Sequence, residues 1–139
     1  MKSENPQACE AWQLLVKFFF SQRADLPTIA SEFELSPAQC HLLHLLEPDR
    51  PIPMGQLAQG LACDASNVTG LVDRLELRGL VRRRPSAEDR RVKVLELTSA
   101  GVRLRATVME RVTRPPESLS RLSVGEQQTL VRILKQLID

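Results

Sequence analysis

DASNVTGLVDRLELRGLVRRRPSAEDRRVKVLELTSAG, residues 64–101, decides how this chain folds. Its first half carries the period of a helix, with Val68, Leu71, Val72 and Leu75 at i, i+3, i+4 and i+7. Asp64 stands where an N-cap belongs and Gly79 where a helix stops, so the spacing predicts a helix over 64–78. From residue 80 the helical period is lost. LVRRRP (80–85) and VKVLEL (92–97) are strand-like and flank a polar tip, SAEDRR (86–91), which predicts a β-hairpin with a long charged tip. Thr98 then caps a helix running to about Arg114, where Pro115-Pro116 forces a break.

Upstream, MGQLAQGLA (54–62) predicts a short helix with Leu57, Ala58 and Leu61 turned inward. Two or three residues, with Ala62 in the turn, separate it from the helix at 64–78. That is helix-turn-helix spacing, and a basic ribbon directly after it makes a winged helix. Ser36-Pro37-Ala38-Gln39 is a capping box opening a helix to about Leu46, and PDRPIP (48–53) reads as a turn. The first helix is expected over about 6–24, with Ala8, Ala11, Trp12, Leu15, Phe18 and Phe19 at helical spacing. A short second one, begun by Pro27, is expected over 27–34. Ser123-Val124-Gly125-Glu126 is a second capping box, and the helix it opens sets Leu130, Ile133, Leu134, Leu137 and Ile138 on one face.

The expected fold is therefore mainly α with a small β-hairpin wing, in one domain. The winged helix-turn-helix occupies 35–105, and helices in 1–34 and 106–139 serve dimerisation, because their apolar faces are too large to leave bare. On the outside of the 64–78 helix remain Ser66, Asn67, Thr69, Gly70, Asp73 and Arg74. Small polar side chains suit a surface that enters a major groove, and Gly70 permits close approach. Arg74 and Arg78 suit phosphate contact, while Arg90 and Arg91 at the hairpin tip are placed to reach a minor groove.

Charge supports that placement. Residues 1–72 hold 4 Lys/Arg against 8 Asp/Glu, 73–105 hold 10 against 5, and 106–139 hold 5 against 4. The basic middle is the footprint of a polyanion contact inside a chain of net charge only +2. The absence of Tyr and an aromatic share of only 4% argue against a stacking platform for single strands. LLVKFFF (14–20) is too short for a membrane span and wrongly built for a signal peptide, so the cytoplasm is the expected location. The chain carries no GxSxG, HExxH, Walker A or GxGxxG pattern, and no enzymatic activity or cofactor is expected.

Residues 64–101 resemble the MarR family of multiple-antibiotic-resistance regulators. The likeness rests on the Ser/Thr-rich helix, RLELRGLVRR (74–83), Asp89 and Arg91 in the hairpin tip, and Leu97-Thr98-x-x-Gly101. LSPAQCHLLHLL (35–46) matches the family's upstream Leu-Thr/Ser-x-x-Gln helix. The resemblance implies a homodimeric repressor on double-stranded DNA, bound to a pseudo-palindromic operator and released by a small molecule. Carried onto this chain, Ser66, Asn67, Thr69 and Arg74 become major-groove or phosphate contacts, Arg91 the wing residue, and Asp89 its organiser.

Three effector chemistries can be weighed on the residues. Peroxide sensing in the family uses a cysteine on the first helix held by tyrosines; here Cys9 lies on that helix, but Tyr is absent. Zinc sensing would draw on Cys40, His41 and His44, yet the helix after the wing has no His. A small aromatic or lipophilic ligand, in a cleft lined by Trp12 and Phe19, is the expectation that is left, with a purely core role for those aromatics as its alternative. A Cys9 redox repressor and a winged helix that binds protein stand as alternatives. Cys63 reads as a small buried filler.

Overall fold

The computed structural model describes residues 5–62 and 65–138, without the side chains of Ala65 and Ser66. In order they form α1 (Pro6–Arg23), α2 (Leu26–Glu32), α3 (Pro37–Leu45), β1 (Ile52–Pro53), α4 (Met54–Leu61), α5 (Ala65–Leu77), β2 (Val81–Pro85), β3 (Lys93–Leu97), α6 (Ser99–Val112), α7 (Glu117–Ser120) and α8 (Val124–Ile138). No described helix is long and apolar enough to cross a membrane.

Local chemistry fixes the helix starts. Ser36 Oγ accepts from the Gln39 N–H at 3.2 Å, and the Gln39 side chain accepts from the Ser36 N–H at 2.8 Å, with Pro37 in the first turn. Ser123 and Glu126 make the same reciprocal pair at α8. The Ser123 N–H, with help from its hydroxyl, holds the Glu126 carboxyl below the usual carboxylate range. Thr98 Oγ1 accepts from the Gly101 N–H at 3.1 Å and so begins α6. The cap expected from Asp64, and the filler role expected of Cys63, lie outside the described residues.

One core gathers the inward faces. Leu42 and Leu43 of α3, Leu57 of α4, Val68, Val72 and Leu75 of α5, Val81 and Leu95 of the ribbon and Val108 of α6 are essentially without solvent exposure. Truncating such a leucine to alanine costs about 2–5 kcal/mol, so this core is what holds α5 in place.

Two elements depart from the sequence reading. PDRPIP is not all turn: Ile52 and Pro53 pair antiparallel with Leu95 and Val94, giving a three-stranded sheet in the order β1-β3-β2. Two residues carry no alternation to detect, and the pairing exists only because β3 offers its free edge. α7 is a single turn after Pro115-Pro116 that no periodicity announces. Elsewhere the ends move by one or two residues, as fraying helix termini do.

α1 and α8 contain no buried residue. Trp12, Phe19 and Phe20 on α1, and Val131, Leu137 and Ile138 on α8, are more than half exposed.

Candidate nucleic-acid interface

α5 presents two faces. Val68, Leu71, Val72 and Leu75 are buried, whereas Asn67, Thr69, Gly70, Asp73 and Arg74 are exposed. Nothing lies within 4 Å of the place a Cβ would occupy on Gly70. The expected outward face is thus an outward face; for Ser66 only its place in the first turn of α5 is described. α4 ends on Ala62, which takes a left-handed conformation, φ 51°, and α5 begins at Ala65.

The end of α5 is closed by glycine chemistry. Gly79, at φ +71°, donates to the Glu76 carbonyl at 2.9 Å, and Leu80 donates to the Leu75 carbonyl at 3.0 Å. Leu75 and Leu80 are both buried beneath this turn, which completes a Schellman stop. The chain can therefore enter β2 at once, and the ribbon emerges beside the helix.

The ribbon's arginines are sorted by strand register. Arg82 sits opposite Glu96, and the Glu96 carboxylate receives Arg82 Nε at 2.5 Å and Arg84 Nε at 3.1 Å. Burial pushes the Glu96 pKa up, but the hydrogen bonds and charge of Arg82 and Arg84 outweigh it and leave it below the ordinary value. Arg83 turns the other way, onto α5. Its Nη1 meets Glu76 at 3.0 Å, its backbone N–H meets the same carboxylate at 3.0 Å, and its Nη2 pairs with Asp73. Arg83 therefore clamps the ribbon to the exposed side of the helix and neutralises the one acid on its outward face.

At the tip, Ser86 N–H donates to the Val92 carbonyl at 2.8 Å. Asp89 Oδ1 accepts from the Arg91 backbone N–H at 3.0 Å and from its Nε at 3.3 Å. Asp89 therefore shapes the turn while leaving the Arg91 side chain 92% exposed. Arg90 is exposed beside it.

Arg78, expected on phosphate, is directed elsewhere. Its Nη1 donates to the Glu34 carbonyl at 2.9 Å and its Nη2 to the Phe33 carbonyl at 3.1 Å. Arg74 keeps its exposed position and has no ion pair among the described residues.

The effector candidates fare differently. Trp12 and Phe19 are 67% and 57% exposed among the described residues of one chain. Phe19 carries Arg23 over its ring at 5.4 Å. Cys40 is buried, which pushes its thiol pKa up. His44 Nδ1 lies 3.3 Å from Met109 Sδ, and among the described residues no three His, Cys, Asp or Glu side chains converge as a metal site.

The sequence reading missed Arg82, Arg83, Arg84, Glu76 and Glu96 as a set that builds the interface. The tip length was the available signal, because once the hairpin closes at 86–92, Arg82 falls opposite Glu96.

A tight helix pair whose second member is flanked by an arginine-bearing ribbon defines a winged-helix DNA-binding protein. The MarR family model matches residues 35–93. The HTH-type transcriptional regulator YfiV of Bacillus subtilis is 31% identical over 122 residues, covering 87% of this chain and 76% of YfiV. The HTH-type transcriptional repressor NicR of Pseudomonas putida is 29% identical over 127 residues, covering 91% of this chain and 80% of NicR. Wild-type MarR of Escherichia coli, in its apo form, shares the fold with a TM-score of 0.79 at 24% identity, over 91% of this chain and 95% of that one. The chain belongs to the MarR family: it is a DNA-binding transcriptional regulator, not an enzyme.

Proposed function

We propose that the chain works as a cytoplasmic homodimer that represses from a pseudo-palindromic duplex site and is released by a small aromatic or lipophilic ligand. The observation that carries this reading is that the exposed small polar face of α5 and the ribbon bearing the exposed Arg90 and Arg91 tip are joined by Arg83, which pairs with Glu76 and Asp73. In the complex, Asn67 and Thr69 read base edges, with Ser66 beside them in the first turn. Gly70 gives clearance, Arg74 contacts phosphate, and Arg91, shaped by Asp89, enters the minor groove with Arg90 at its rim. The bare apolar faces of α1 and α8 supply the second copy's seat, and two copies bring Trp12 and Phe19 towards a shared cleft for the ligand.

Selection of duplexes from a random pool tests the reading. It should return an inverted repeat with half-sites about one helical turn apart. Asn67→Ala should weaken the selected site by about 1–3 kcal/mol per lost base contact and leave a scrambled duplex nearly unchanged. Aromatic carboxylates and phenols titrated into the complex should release the duplex, and Trp12→Ala should blunt that release. Recovery of no salt-dependent duplex binding would leave a protein-binding winged helix in its place.

A further inference from the structure

Residues 32–34 connect three parts of the molecule through three residues. The Glu32 carboxylate pairs with Arg111 of α6 at 2.9 Å. The next two carbonyls, of Phe33 and Glu34, each receive a hydrogen bond from the Arg78 guanidinium at the end of α5. Glu34 takes φ +55°, a conformation costly for a residue with a side chain, and its carbonyl is one of the two that Arg78 holds. The α2–α3 corner thus touches the long helix α6 through one side chain and the recognition helix through its backbone.

We propose that Arg78 is a positioning residue for operator recognition: its fork fixes the pitch of α5 against the α2–α6 base and makes no contact with the duplex. The proposal rests on α5 being the DNA-reading helix. A guanidinium is suited to the task because its planar, rigid donors can engage two neighbouring carbonyls at once, which a lysine ammonium on a flexible stem does poorly. In a dimer, any change in that pitch moves two recognition helices relative to each other, so the quantity it governs is the discrimination between correct and incorrect half-site spacing. Arg83 holds the wing side of the same helix, and Arg78 holds the base side.

Arg78→Lys and Arg78→Gln separate this role from a phosphate contact, and the side chain is exposed, so neither change opens a cavity. The first arm needs no DNA. Amide hydrogen exchange should accelerate at 33–36 and in the last turn of α5 in both variants. The second arm uses the selected duplex, the same duplex with one base pair inserted between half-sites, and a scrambled one. Both variants should lose at least about tenfold on the selected duplex, compress the preference over the inserted one, and keep the wild-type salt slope. Unchanged exchange in both variants overturns the proposal, whether or not the chain binds the duplex. So does an Arg78→Lys that binds like wild type while Arg78→Gln loses about one unit of salt slope per subunit. Absence of duplex binding by the wild type would instead strike at the functional reading, with the exchange arm still deciding whether Arg78 holds the corner.

Discussion

Gly101 lies flush against the carbonyl of Leu80: a Cβ on Gly101 would sit 1.9 Å from that oxygen. The contact closes the seam between the recognition helix and the helix after the wing. Thr98 completes it, its Oγ1 donating to the Gly79 carbonyl at 2.6 Å and its N–H to the Leu80 carbonyl at 3.0 Å. Thr98-x-x-Gly101 is therefore one device. The threonine ties the end of α5 to the start of α6, and the glycine lets α6 come close enough to be tied.

Gly101→Ala should accordingly destabilise the fold by about 3 kcal/mol or more, because the neighbour in the way is backbone rather than a flexible side chain. Urea unfolding followed by circular dichroism measures it. A loss under about 1 kcal/mol, the ordinary size of a surface effect, would mean that the seam yields and the contact is not a constraint.

Glu96 predicts a pH dependence of known sign. Its folded pKa lies below the ordinary glutamate value, so the stability it contributes is fully present above the unfolded pKa of about 4.3 and is lost as pH falls through the lower folded value. Glu96→Gln should flatten that acid limb in a series of urea midpoints. The substitution also releases Arg82 and Arg84, so binding to scrambled duplex should strengthen and its salt slope steepen. A variant with an unaltered acid limb would show that the cluster makes no difference to folding.

Gly70→Ala should pull stability and binding apart. The site is open and lies within α5, so alanine should stabilise the helix by about 0.5–1 kcal/mol. The added methyl should nevertheless weaken binding to the selected duplex, where clearance matters. A higher melting temperature with unchanged affinity would move the contact surface off this face.

The apolar ends predict an oligomer that a single charge can break. Sedimentation at micromolar concentration should give about twice 15.6 kDa, and Leu137→Asp should return it to one chain. Binding to the inverted repeat should then fall to that of a lone half-site. Dimers that persist in Leu137→Asp would place the interface elsewhere than α8.

How much of this was legible in the sequence depended on the range of the interaction. The capping boxes at Ser36 and Ser123 and the stop at Gly79 are local patterns, and each could be read from a few adjacent letters. Arg78 could not, because the carbonyls it holds lie 44 and 45 residues earlier in the chain. From its position alone it is one more cation on the helix end. Arg82, Arg83 and Arg84 read together as a basic run, and only strand register sends the outer two to Glu96 and the middle one to Asp73 and Glu76. β1 was invisible for a different reason, being too short to show a period of two.

The way the small sheet ends has a consequence for the company the protein can keep. One margin, β1, is two residues long and finishes in Pro53. The other, β2, presents consecutive arginines and then Pro85, which has no N–H, while the Arg83 N–H is already accepted by Glu76. Exposed strand margins invite a stranger's strand, and short length, charge and proline are the means by which proteins refuse it. With both margins blunted in this way, the ribbon is a poor template for a fibril or for zipping two chains edge to edge. On the reading proposed above, self-recognition then falls to the helices, and the wing can meet a duplex without being an adhesive surface.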